Sequence, residues 1–289
     1  MGIATQVTDL SDLRADLLTM MREGTGTTPQ NNLADRYLNR ALHDMHINPG
    51  NNAPWAVRRA DLITHDDYTT GTVAIALATR TTVTGTGTAW NTLVTGMATD
   101  FNNARVGGKM TFAGGTDPYI VSAVNSDTSI TLGTRYVESA ALAAGSSYRY
   151  FEDEYALATD FWKPLDADNF DVDQTISLIP PMEFRRRYPR NTIPGKPRVA
   201  TLIQLDFDAN TTPRYRVVFH PPPDDQYLIR YAYITSFLAV SSAGADQIQL
   251  TATDDEPIIP LRYRHALVFH AAYLWLLTRK DDTRAKEMK

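Results

Sequence analysis

Thr81-Thr82-Val83-Thr84-Gly85-Thr86-Gly87-Thr88-Ala89-Trp90 is the stretch on which the reading of this chain turns. Threonine and valine dominate its first half, and β-branched side chains favour a pleated backbone. A Gly-Thr-Gly cluster then interrupts the run. A phosphate loop would need a Lys-Ser/Thr pair and a following helix. Here the flanks are strand-like on both sides, so the glycines read as a hairpin turn. The same style extends outward. From Thr69 to about Ser147 the chain is rich in Thr, Gly, Ala and Val and poor in charge. Val73-Ala74-Ile75-Ala76-Leu77 alternates large and small, as a half-buried strand does. Further strands are predicted at Thr81–Thr84, Lys109–Phe112, Tyr119–Val124, Ser129–Leu132 and Ser147–Phe151, with turns at Gly85-Thr86-Gly87, Gly114-Gly115 and Asn125-Ser126-Asp127. Short strands at this spacing predict a small antiparallel barrel or sandwich. Residues 69–151 are therefore expected to form an inserted all-β domain.

The flanks have another character. Leu10, Leu13, Leu17 and Met20 or Met21 recur at helical spacing, with Asp9 and Asp12 at the start and Gly24 at the end. After a loop from Gly24 to Gln30, Asn32 is the expected N-cap of a second helix, with Leu33, Tyr37, Leu38, Ala41, Leu42 and Met45 on one face and Pro49-Gly50 as its stop. Beyond the insert, Pro164 to Pro197 is irregular and proline-rich, with a short helix from Met182 to Arg187. Val199–Phe207 and Arg214–His220 flank a turn at 208–213 and predict an antiparallel hairpin. Tyr227 to Ser236 alternates Tyr227, Ile229, Tyr231 and Tyr233 on one face. A final helix carries Tyr263, Leu267, His270, Leu274 and Leu277 at steps of three and four, with Pro257 and Pro260 expected in its first turn. The fold class is thus α+β. A helical bundle from both ends and a β-hairpin region make a core of residues 1–68 plus 152–289, interrupted by the insert.

Composition narrows the function. The chain has 289 residues, 43% hydrophobic and 21% charged, with no cysteine and a net charge of -5. Cysteine-based zinc sites, disulfides and thiol nucleophiles are excluded. A duplex-DNA binder gains affinity by neutralising phosphates and is usually basic, so tight DNA binding by this chain is not expected. Met1-Gly2-Ile3-Ala4-Thr5-Gln6 has neither the basic region of a signal peptide nor a myristoylation signal. Ala266 to Leu277 is too short to span a bilayer and contains His270.

No motif assembles a catalytic or metal site, and no cofactor or enzymatic activity is expected. His43 and His46 sit three apart on a helix, without a third ligand in view. His65-Asp66-Asp67 could be a base with an orienting carboxylate but lacks a nucleophile motif, and reads as a polar junction at the insert boundary. His265 and His270, five apart, face different sides of a helix, and His270 is expected as a hydrogen-bonded core or interface residue. Asp166, Asp168, Asp171 and Asp173 lack the glycine and closing glutamate of an EF-hand and read as solvated acids. Arg185, Arg186 and Arg187, with Phe184, Tyr188 and Arg190 around them, form the densest basic patch, a partner contact or a solvated face. The charged end, with Arg279, Lys280, Arg284, Lys286 and Lys289, is a second candidate contact.

Three stretches together carry a resemblance. They are the insert, with Thr81–Trp90, Gly107-Gly108-Lys109-Met110-Thr111-Phe112 and Tyr119–Leu132; the exit Asp153-Glu154-Tyr155-Ala156-Leu157-Ala158-Thr159-Asp160-Phe161; and Pro257-Ile258-Ile259-Pro260 leading to Tyr263-Arg264-His265-Ala266-Leu267 and Lys280-Asp281-Asp282-Thr283-Arg284-Ala285. In this order they resemble the head-to-tail adaptor (connector) proteins of tailed bacteriophages. The resemblance implies a structural virion protein of the neck, assembled in the bacterial cytoplasm. It implies a homo-oligomeric ring, a dodecamer, between the portal protein and the tail or nozzle, with DNA passing through the lumen without sequence-specific binding. It implies no membrane contact. A tail nozzle, or a receptor- or glycan-binding tail protein presenting aromatics such as Trp90, is the alternative.

Overall fold

The computed structural model describes residues 7–23, 27–47, 54–95, 100–113, 115–166, 170–171, 175–206 and 214–278. The fold is mixed α+β. Helices from the two ends of the sequence pack together, and the chain also forms several antiparallel sheets, one a curled half-barrel. The chain divides into two compact units, residues 1–58 with 234–289, and residues 59–233. Among the described residues no helix is long and apolar enough to cross a membrane.

Among the described residues, the first unit is built on three α-helices. Helix α1 (Leu10–Met20) starts at Asp9, whose carboxylate accepts the Asp12 N–H at 3.0 Å. It buries Leu10, Leu13, Leu17 and Leu18. Its end is closed by two backbone bonds, Glu23 N–H to Leu18 O at 3.0 Å and Arg22 N–H to Thr19 O at 3.1 Å. This paired closure puts the residue after the cap in the left-handed region, a place usually held by glycine. Here Arg22 occupies it, with φ 57. Replacing Arg22 by glycine is therefore expected to stabilise the protein by about 0.5 to 1 kcal/mol, seen as a higher denaturant midpoint at unchanged slope.

Helix α2 (Thr28–Ile47) begins earlier than Asn32. The Gln30 side chain reaches back to the Thr27 N–H at 2.9 Å and the Thr27 hydroxyl at 3.1 Å. That is half of a capping box, and Pro29 is tolerated because the first turn does not need its missing donor. The expected stop at Pro49-Gly50 and the Gly24 end of α1 lie outside the described residues.

The last helix, α4 (Arg264–Thr278), packs against both. Tyr37 of α2 stacks on Trp275, centroids 5.4 Å apart, and a bidentate pair from Arg14 to Asp35 at 2.7 and 2.8 Å links α1 to α2. Pro257 and Pro260 stand outside α4. Pro257 pairs with Ala239 in a small three-stranded sheet, and Pro260 precedes a single 3-10 turn. The helix starts at Arg264 because that side chain is buried and turned back on the chain. Its guanidinium donates to Ile259 O at 3.0 Å, Pro257 O at 3.2 Å and Thr8 O, and pairs with Glu256 at 2.9 Å.

Three carboxyls of this unit are held below their ordinary value of 3.8. The Thr8 hydroxyl and N–H lower Asp12, at 2.6 and 3.0 Å. The bidentate Arg58 lowers Asp246, at 2.8 Å to each oxygen. Burial pushes Asp255 upward, but the N–H groups of Ala252 and Thr251 and the Thr251 hydroxyl outweigh it. Depressed folded values mean that the unfolded chain takes up protons first as pH falls. The stability these groups give is present above about pH 5 and is lost as pH drops through the ordinary value and below it. The denaturant midpoint is expected to fall between pH 5 and pH 3, and an Asp12→Asn, Asp246→Asn double variant to fall less. A midpoint flat across that window would contradict the assignment.

The second unit holds two large sheets. A seven-stranded antiparallel sheet runs in the order Tyr148–Phe151, Lys109–Phe112, Tyr119–Ser126, Ser129–Leu132, Thr82–Thr86, Thr72–Ile75, Leu142–Ser146. Alternate residues Val73, Ile75, Val83, Met110, Val121 and Ile130 point into one core. Trp90 is fully buried there, with its indole N–H donating to the Tyr148 hydroxyl at 2.9 Å. It is a core residue and not an exposed aromatic. The strand Leu142–Ser146 and the hairpin of Leu93–Thr95 with Asp100–Asn102 were not legible from pattern.

The second sheet has eight strands. Its path runs Val57–Ile63, Leu228–Thr235, Phe170–Asp171, Thr175–Leu178, Val199–Asp206, Arg214–His220, Glu154–Ala156, with Phe161–Pro164 also on Leu228–Thr235. The hairpin expected at Val199–His220 is present, but its sheet is mixed: Ser177 and Leu178 pair in parallel with Val199 and Ala200. The alternation read at Tyr227 to Ser236 sends Ile229, Tyr231 and Tyr233 inward, where Phe161 lies 6.2 and 5.5 Å from the two tyrosine rings.

Candidate functional site

Where the threonine-rich sheet meets the second sheet, charge is buried. Glu152 and Asp153 follow the strand Tyr148–Phe151 and are 6% and 1% exposed. Burying carboxylates is costly unless each is paired and hydrogen-bonded. Glu152 receives Arg105 through both oxygens and the Tyr150 hydroxyl at 2.6 Å. Asp153 receives Lys109 at 2.7 Å and the Asn191 amide at 3.1 Å on one oxygen, and its other oxygen has no partner among the described residues. The same Asn191 amide donates to Phe219 O at 2.6 Å, and Asn191 Oδ1 lies 2.7 Å from His220 Nδ1. Burial lowers the His220 pKa. Since Asn191 uses its amide nitrogen elsewhere, the neutral imidazole must donate from Nδ1 to Asn191 Oδ1.

Burial and the Glu152 charge push the Tyr150 hydroxyl well above its ordinary value, and Tyr155 likewise. Both remain protonated and serve as donors: Tyr150 to Glu152, and Tyr155 to the Glu152 carbonyl at 3.1 Å. Gly108 is required beside them, since a Cβ there would lie 2.1 Å from the Tyr150 hydroxyl oxygen. His65 belongs to this junction. It is 1% exposed, its N–H donates to the Tyr155 hydroxyl at 2.9 Å, and its ring nitrogens lie 2.5 Å from Asp66 O and 3.1 Å from Asn102 O. Asp67 instead grips Arg149 at 2.6 and 2.9 Å, and burial raises its pKa against the pull of that arginine. Chemically the arrangement fastens two sheets of one unit to each other.

Over this junction lies the basic patch. Helix α3 (Pro181–Arg187) has one buried residue, Phe184, and Tyr188 after it stacks on His220 with centroids 3.6 Å apart. Arg185, Arg186 and Arg187 are all exposed, and Arg187 pairs with Glu183 one turn back. Met182 is 82% exposed and Ile193 72%. Arg185 also lines a cleft of about 270 Å³ with Lys109, Asp153, Tyr188 and Asn191. Exposed methionine beside arginine is the composition of interface centres, where both are enriched.

The remaining candidates separate. Arg279, Lys280, Arg284, Lys286 and Lys289 lie outside the described residues, as do Asp168 and Asp173; Asp166 is exposed. His46 is buried with Nε2 2.6 Å from Thr235 O, while His43 is exposed. His270 is one-third exposed and faces Asp44 at 3.7 Å; His265 is 4.0 Å from Asp16. Among the described residues no three histidine, aspartate or glutamate side chains converge as a metal site would require. Sequence reading missed Lys109, Asp153, Asn191 and His220. One signal was available: Lys109 is the only lysine between residues 69 and 151.

The chain matches no protein-family model, and no curated protein matches it in sequence.

Proposed function

We propose that this protein is a structural virion component of a tailed phage, a head-to-tail adaptor that forms a ring of about a dozen copies. The ring sits between the portal and the tail or nozzle at the neck, assembled in the host cytoplasm. In this reading residues 1–68 and 152–289 make the adaptor core, and 69–151 is a small inserted barrel or sandwich. The chain carries no reaction and no cofactor.

One observation supports it best. Helix α4 is apolar on two sides. Leu267, Val268, Ala271, Leu274, Trp275 and Leu276 are buried in the core of their own unit. The opposite stripe, Ala266, Phe269, Tyr273 and Leu277, is exposed or half-exposed, with Phe269 at 51% and Leu277 at 42%. A stripe at steps of three and four is what a second helix or groove covers. A second copy of this chain is its occupant here. A ring contact is heterologous and uses two unlike faces on each copy; the α3 patch on the other unit is the second unlike surface. The cations from Arg279 onward in the sequence are assigned to the portal contact. A net charge of -5 suits a channel that lets DNA slide past.

Electron-microscopy class averages of the purified protein, alone and mixed with portal rings, test this. The expected result is a closed ring of about a dozen copies with the portal, lost in Phe269→Glu. Particles that stay monomeric or trimeric with portal present would overturn it.

A further inference from the structure

A second cleft lies on the threonine-rich sheet, away from the buried junction. It measures about 470 Å³ and is lined by Phe112, Tyr119 and Tyr136 together with Asp117 and Glu138. The three rings form one cluster with centroids 5.4 to 5.7 Å apart. Two features of the cleft are unspent. Tyr136 is 7% exposed, yet its hydroxyl has no hydrogen-bond partner among the described residues. Glu138 is exposed, and among the described residues only its backbone carbonyl is engaged, by Arg80 at 2.7 Å. Burial and then the Glu138 charge raise the Tyr136 hydroxyl's pKa.

From this geometry we infer that the cleft is a binding site for a lysine or arginine side chain of a partner protein. Aromatic faces carry negative charge and attract cations, more so when water is displaced. Two carboxylates at the same opening add to that attraction. The Tyr136 hydroxyl supplies an acceptor for an N–H. The rim already takes a guanidinium: Arg190 donates to the Thr116 hydroxyl at 2.9 Å and lies 3.3 Å from Asp117. Both Arg190 and Asp117 are more than half exposed, so that pair is weak and displaceable. A neutral sugar would gain stacking and hydrogen bonds here but brings no charge to the two carboxylates.

The test is calorimetric titration of the full chain with an octapeptide alternating lysine and serine. A peptide with norleucine at each lysine is the control, and maltotriose the neutral competitor. The lysine peptide is expected to bind and the norleucine peptide not. Glu138→Gln is expected to weaken binding by about two- to five-fold. Tyr136→Phe, which changes no charge, is expected to weaken it measurably, and Asp254→Asn, an exposed acid elsewhere, not at all. Equal affinity in wild type, Glu138→Gln and Tyr136→Phe would reduce the effect to general charge attraction and overturn the site. So would maltotriose binding that Tyr136→Phe weakens while the lysine peptide fails to bind.

Discussion

Lys109→Ala is expected to destabilise the second unit by about 3 to 5 kcal/mol. The reason is what it leaves behind. Asp153 is 1% exposed, one of its oxygens already lacks a partner, and Lys109 is its sole cationic neighbour among the ion pairs described. Without Lys109 a buried carboxylate keeps only the Asn191 amide. The converse change is milder. In Asp153→Ala the ammonium is 19% exposed and can turn to water, and Asn191 keeps Phe219 O. A double change, Lys109→Met with Asp153→Leu, should cost less than Lys109→Ala alone, since no charge is stranded. Chemical denaturation of the three variants reads this order directly. If Lys109→Ala cost under about 1 kcal/mol, Asp153 would be reaching solvent and the junction would not be a sealed one.

Arg264→Met should cost the first unit a similar amount, about 3 to 5 kcal/mol. Methionine fills most of the volume, so lost packing is small. What goes is the set of donors to Ile259 O, Pro257 O and Thr8 O, with the Glu256 pair. Three carbonyls face a side chain that cannot donate. Because the chain has two compact units, a single unfolding free energy is not assured. The expected trace is an earlier transition for Trp55 and Trp275, with Trp90 and Trp162 unmoved. Coincident loss of all four signals would mean that the units unfold as one. Lysine at 264 restores the charge but not the fork that reaches several carbonyls at once, so it should rescue little.

Much of this fold was legible where local pattern decides it. Lys109–Phe112, Ser129–Leu132 and Arg214–His220 occur with the bounds read from alternation. The start of α1 at Asp9 follows from a short-range cap. What escaped was non-local or disguised. Val57–Ile63 buries none of its residues fully and carries Arg58, Arg59 and Asp61, so no apolar face announced it. Thr175–Leu178 gains its place only from parallel pairing with Val199 and Ala200. The start of α2 was hidden by Pro29, which looks like a breaker and acts as a first-turn residue. Arg185, Arg186 and Arg187 were found because like charges cluster in sequence. The Lys109–Asp153 pair was not, because its members are 44 positions apart. A contact of that span leaves no periodic trace.

Tyr37 and Thr278, joined by a hydrogen bond, stand 241 positions apart. During synthesis the leucines of α1 and α2 therefore emerge long before the helix that covers them has been made. At roughly 5 to 20 residues per second, the ribosome leaves that greasy surface waiting for ten seconds or more, while the intervening sheets have time to form. A stalled or truncated product lacking α4 should be captured by chaperones or aggregate, even with its middle correctly built.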